Sequence, residues 1–188
     1  GGVGESARVG GKAEEVGGGL AEGGGEGDWA GRAGRHGAGA GMGLLGQVGS
    51  GVAPGAVTLV GSSLGGFYAT CLAEKLGLRV VLVNPAITPH AGLRNYLGPQ
   101  KNLYTGDEYL LTEEHLTQLA ELYVANPRRM DNYLLMHTTG DELLDWRAAV
   151  DHYRGCRQVL VQGSDHGFRE FGDYLDSVLS FATPPSLE

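Results

Sequence analysis

The hydrophobic pattern of this chain changes at about residue 56. Downstream, short apolar runs alternate with stretches in which apolar residues recur every three or four positions, and this alternation of strand and helix signals predicts an α/β fold. Val57-Thr58-Leu59-Val60 is an apolar run stopped by glycine, which suits a strand buried on both faces of a parallel sheet. Residues 64–76 follow as a helix, with Tyr68, Leu72 and Leu76 four apart beside Cys71. Gly77 stands where a helix end favours positive φ. Arg79-Val80-Val81-Leu82-Val83 is a second buried strand, broken by Asn84-Pro85, and the strand-helix-strand order implies a parallel crossover. Residues 88–108, with Pro89, Gly92, Gly98, Pro99 and Gly106, read as a long irregular loop that lines or covers a site. Thr112 caps a helix whose apolar face is Leu116, Leu119, Ala120 and Tyr123. Residues 132–138 form a third strand, 145–153 a short helix, 158–162 a fourth strand, and 171–181 a closing helix with Tyr174, Leu175, Val178 and Leu179 turned inward.

Upstream there is no such order. Residues 1–50 hold 20 of the 34 glycines, one aromatic (Trp29) and no Ile, Phe or Tyr, and neither a 3.6-residue nor a 2-residue period survives more than a few positions. Such text buries too little surface to offset the entropy of ordering glycine, so residues 1–55 are expected to be a disordered, low-complexity segment. It is also the text a GC-rich gene yields when read out of frame. The expected organisation is therefore a Gly-rich segment over 1–55, a catalytic domain over 56–183 and a short tail over 184–188.

Charge narrows the function classes. The net charge is −8, and no basic stripe interrupts the acidic balance, which argues against nucleic-acid binding. No run approaches the roughly 18 apolar residues of a membrane span, and no secretory signal is evident, so a cytoplasmic location is the expectation. Cys71 and Cys156 have neither metal-ligand nor redox spacing and read as reduced packing residues. Neither is expected to carry chemistry.

The chemistry concentrates in three short stretches. Gly61-Ser62-Ser63-Leu64-Gly65 fits G-x-S-x-G between a predicted strand and a predicted helix. A nucleophilic serine must project from a tight strand-to-helix turn, so the residues two before and two after it must be small. Centring the pattern on Ser62 would place Val60 and Leu64 where glycines are needed, which favours Ser63. The backbone N–H of Leu64, at the helix start, is the candidate oxyanion donor. A base and an orienting carboxylate should follow at strand ends in the order acid, then histidine. Asp141 lies in the turn after the third strand, with Glu142 and Asp145 as competing acids. His166 lies in the small-residue loop Gly163-Ser164-Asp165-His166-Gly167 after the fourth. His137 falls inside a buried strand, and His36, His90, His115 and His152 lack the post-strand setting; Asp165 is expected to shape the loop of His166.

From about Val57 to Ala182 the chain resembles the YqiA/YcfP-type bacterial esterases. The matching text is V-G-S-S-L-G-G-F-Y-A-T at 60–70, N-P-A at 84–86, Y-L-G at 96–98, Y-T-G at 104–106, T-G-D-E-L-L-D-W at 139–146, G-C-R-Q at 155–158 and D-H-G-F at 165–168. The resemblance implies an α/β-hydrolase fold. It also implies a cofactor-free esterase acting on small carboxylic esters or acyl thioesters, with Ser63 as nucleophile, Asp141 as acid and His166 as base. An acyltransferase or thioesterase with the same triad, and a catalytically impaired fragment, are the alternatives. The family begins with an apolar strand ending in a His-Gly type turn that carries the second oxyanion donor, and the Gly-rich segment shows no match to it.

Overall fold

The computed structural model describes residues 57–101 and 108–183. The expectations for residues 1–55, the tail at 184–188 and the Tyr104-Thr105-Gly106 match lie outside these residues. In chain order the elements are β1 (Thr58–Ser62), α1 (Leu64–Leu76), β2 (Arg79–Val83), α2 (Pro89–Gly92), a 3₁₀ turn (Leu93–Tyr96), β3 (Gly98–Lys101) and β4 (Glu108–Leu111). They continue with α3 (Glu113–Glu121), a 3₁₀ turn (Met130–Asn132), β5 (Tyr133–Thr138), α4 (Trp146–His152), β6 (Arg157–Val161), a 3₁₀ stretch (Arg169–Tyr174) and α5 (Leu175–Ala182).

The apolar runs pair as a four-stranded sheet in the order β1-β2-β5-β6, with every pairing parallel. Alternate residues of the two central strands feed two cores. Val80, Leu82, Tyr133 and Leu135 join α1, α3 and α4 on one face, while Val81, Val83, Leu134 and Met136 meet Phe168, Val178 and Phe181 on the other. Burial on both faces is why these strands read as unbroken apolar text. Four parallel strands also bring four C-terminal ends to one edge, and the predicted site residues follow three of them, β1, β5 and β6.

Several expectations need correction. β1 is not buried on both faces: Leu59 is covered, but Val60 is 47% exposed, and among the described residues β1 pairs only with β2. The stretch at 88–108 is not irregular where described; it contains α2, a 3₁₀ turn and β3, which pairs antiparallel with β4 beginning at Glu108. In α3, Leu116 and Leu119 are buried but Ala120 is exposed. The closing segment differs most. A 3₁₀ stretch over Arg169–Tyr174 takes its first four residues, so the helix begins at Leu175 with a shifted phase: Val178 and Phe181 are buried, whereas Leu175 and Leu179 stand 48% and 61% exposed.

The junction of β1 with α1 is sterically tight. A methyl at Gly61 would lie 2.5 Å from the Gly65 carbonyl oxygen and 2.9 Å from Ala69 Cβ, and one at Gly66 would lie 2.7 Å from Pro85 Cβ. Backbone faces Gly61, and backbone does not yield as a flexible side chain does. Gly61→Ala is expected to destabilise the domain by about 1–3 kcal/mol, as other overpacking changes do. Urea titration would register this as a lower midpoint with an unchanged slope.

Candidate functional site

Ser63 sits in the single-residue turn between β1 and α1 with φ 52° and ψ −122°. A non-glycine residue in such a conformation costs on the order of 1–3 kcal/mol and persists only where its surroundings over-determine it. They do so here. The Ser63 N–H donates to Val83 O at 3.0 Å, and its carbonyl accepts from Gly66 N at 3.0 Å and Ala86 N at 2.9 Å. The side chain is thereby carried on a backbone anchored to α1, β2 and the chain just beyond β2. Leu64 opens α1, where an amide has no intrahelical acceptor, and no partner for its N–H occurs among the described residues.

His166 and Asp141 meet at the ends of β6 and β5. Nδ1 of His166 is 2.9 Å from Oδ2 of Asp141, whose side chain is fully buried, while the imidazole is 19% exposed. A carboxylate only accepts, so Nδ1 carries the proton and Nε2 is left as the acceptor. The other oxygen of Asp141 accepts the amides of Leu143 and Leu144, both at 2.9 Å. Burial pushes the carboxyl of Asp141 up, but the hydrogen bonds from His166 and from the two amides outweigh it and hold the group below its ordinary range. Among the described residues no hydrogen bond joins Ser63 Oγ to His166. The structure therefore brings the acid and the histidine together and places the serine at the same sheet edge without closing that last contact.

The competing acids are otherwise engaged. Asp145 caps α4 by accepting Arg147 N at 3.0 Å. Glu142 accepts the backbone N–H of His166 at 3.0 Å, a clamp on the histidine loop that the sequence reading passed over as a rival acid. Asp165 pairs with Arg169 at 2.6 Å, within the loop it was expected to shape. Among the other histidines, His137 is fully buried with Nδ1 3.0 Å from Thr138 O, His115 Nδ1 accepts Thr112 N at 3.0 Å, and His90 and His152 flank the ring of Tyr123. Cys71 and Cys156 are free; burial pushes the Cys71 thiol up to about 12, so it is a packing group at neutral pH. No cluster of three potential metal ligands forms among the described residues.

A mostly parallel sheet flanked by helices, with a strained serine after one strand and a histidine-carboxylate pair after two others, is the arrangement of the α/β-hydrolase class. The fold is similar to that of alpha/beta hydrolase domain-containing protein 10 from mouse, with a TM-score of 0.56 and 16% identity over 76% of this chain and 69% of that one. It is also similar to monoacylglycerol lipase of Paleococcus ferrophilus, with a TM-score of 0.54 and 13% identity over 76% of this chain and 73% of that one. Identities this low speak for the fold alone. The chain belongs to the uncharacterised protein family UPF0227, whose sequence model matches residues 43–183 and so starts upstream of Val57. This is the family of the YqiA/YcfP-type resemblance.

The lowered carboxyl of Asp141 has a consequence for stability. A carboxylate whose folded value is depressed stabilises the fold fully above its unfolded value, about 3.9, and loses that contribution as pH falls through the lower folded one. Asp141→Asn removes the titration, so its urea midpoint should fall less steeply than that of the wild type below about pH 4. Parallel titrations across the acid range would read the difference.

Proposed function

We propose that this protein is a serine hydrolase of small carboxylic esters, including acyl thioesters, that works through an acyl-enzyme intermediate. The observation that carries the reading is the His166–Asp141 hydrogen bond at 2.9 Å on the sheet edge that also presents Ser63 at φ 52°. In the first half-reaction Ser63 Oγ attacks the ester carbonyl carbon while Nε2 of His166 accepts the hydroxyl proton. The carbonyl π pair moves to oxygen, and the developing oxyanion takes the N–H of Leu64. Asp141 stabilises the imidazolium through Nδ1 and stays ionised throughout, as its lowered carboxyl requires. When the tetrahedral intermediate collapses, the bond to the leaving oxygen or sulfur breaks, and the leaving group departs with the proton from Nε2. Water then enters, gives a proton to Nε2 of His166 and attacks the acyl carbon; collapse breaks the bond to Ser63 Oγ, which takes that proton from Nε2 as the carboxylic acid leaves.

Substrate class and location belong to the same proposal. Ile87, Leu97 and Tyr68 are partly buried against the core cluster that includes Leu93, Leu111 and Leu116, and this apolar surface supports a wall for the acyl group. Two free cysteines in a well-packed domain are consistent with a reducing, cytoplasmic setting.

A fluorophosphonate probe followed by mass spectrometry tests the nucleophile. The adduct should map to Ser63, and Ser63→Ala should abolish labelling and turnover of p-nitrophenyl acetate. Asp141→Asn should reduce kcat by roughly 10⁴-fold, the scale seen when a triad histidine loses its orienting acid. Labelling that persists in Ser63→Ala removes the assignment.

A further inference from the structure

Asn84 follows β2 and is completely buried, with φ at 42°. A left-handed conformation is unfavourable for most residues and better tolerated by asparagine. Its side-chain amide is engaged at both ends. Nδ2 donates to the carbonyls of His166 at 2.9 Å and Asp165 at 3.3 Å, and Oδ1 accepts Thr138 N at 2.9 Å. Three of the four sites an asparagine side chain offers are thus filled. The orientation of the amide is forced, because two of the partners are carbonyls, which only accept, and one is a backbone N–H, which only donates. Thr138 Oγ1 reinforces the tie by donating to Asp165 O at 2.9 Å.

We infer that Asn84 is a positioning residue for the His166–Asp141 pair. The inference rests on the triad reading above. Thr138 ends β5 three residues before Asp141, and Asp165 and His166 form the loop after β6, so one side chain sets the distance between the segment bearing the acid and the segment bearing the base. The same turn holds the third segment: the Asn84 N–H donates to Met136 O at 2.9 Å, and two residues on, the Ala86 N–H donates to Ser63 O at 2.9 Å. Glu142 supports the loop from outside through the His166 N–H, but it is exposed to water, whereas Asn84 is completely buried. Aspartate cannot replace Asn84, because its carboxylate would face two carbonyl oxygens without a proton to donate. An apolar residue would leave those carbonyls and the Thr138 amide without their partner in the core.

The test compares wild type, Asn84→Ala, Asn84→Asp and Thr138→Val in p-nitrophenyl acetate hydrolysis, with fluorophosphonate titration to count active sites. A misplacement of about 1 Å costs up to a hundredfold in rate, so per active site kcat should fall roughly 10- to 100-fold in Asn84→Ala with KM within about twofold. Asn84→Asp should not rescue it. Thr138→Val removes only the hydroxyl side of the tie and should show a smaller loss with the same kcat-against-KM split; it carries the test if Asn84→Ala does not fold. A second readout needs no turnover: the downfield proton resonance of the His166 Nδ1–H, identified by its disappearance in Asp141→Asn, should broaden or vanish in folded Asn84→Ala. Unchanged kcat and an unchanged resonance in folded variants overturn the inference. A wild type that Ser63-directed probes do not label overturns the triad reading instead, and the resonance still decides whether Asn84 holds the pair together.

Discussion

The site depends on a close approach of two backbones. β1 must turn into α1 within one residue, and that turn exists because Gly61 meets the Gly65 carbonyl where a Cβ would intrude. Strand and helix can then touch, and Ser63 is left in a conformation it would not adopt alone. The strain is stored locally and held by a hydrogen bond from Gly66 in α1 and by two with residues at and beyond the end of β2. The nucleophile candidate is therefore a property of the sheet. Its carbonyl and amide are parts of the extended β1–β2 junction, and whatever disturbs the end of β2 reaches Ser63 directly.

The same edge logic explains how distant segments converge. In a parallel sheet every strand leaves on the same side, so the turns after β1, β2, β5 and β6 are neighbours whatever their separation in sequence. Ladder-like hydrogen bonds continue past the strand ends, from Asn84 N to Met136 O and from Thr139 N to Val161 O, which stiffens the turns. Rigid turns suit a site whose polar groups must stand in fixed relation.

Much of this was legible in the chain. The bounds of α1 follow from Gly77 and the four-residue spacing before it. The central strands follow from apolar runs that only two-sided burial makes continuous. What was not legible depended on tertiary phase. Leu175 and Leu179 look like a buried stripe if the closing helix starts at Phe171, but the 3₁₀ stretch over Arg169–Tyr174 turns the helix so that Val178 and Phe181 face the sheet. Val60 reads as core because it is apolar, and its exposure depends on what lies beside β1, which local pattern does not encode. Gly98 and Pro99 look like loop residues, yet Gly98 takes φ 116° and starts β3. At the site, Ser63 is marked by its glycines, whereas Asn84 carries no mark beyond Asn-Pro at a strand end, because its importance lies in partners 54 and 82 residues away.

Three carboxylates within five residues, Asp141, Glu142 and Asp145, show how backbone position assigns chemistry among like groups. All three are acceptors, and composition does not separate them. Asp141 lies in the turn closed by its own N–H to Thr138 O, which sends its side chain inward beneath the imidazole, where two amides and a histidine keep it ionised despite burial. Glu142, one residue on, points to the surface and reaches back only to the His166 backbone. Asp145 arrives where α4 must begin and is taken by the orphan amide of Arg147. An acid in either later position is solvated or already capping a helix and has no reason to fix an imidazole. The carboxylate that meets the imidazole is therefore the one the strand end buries, and that is Asp141.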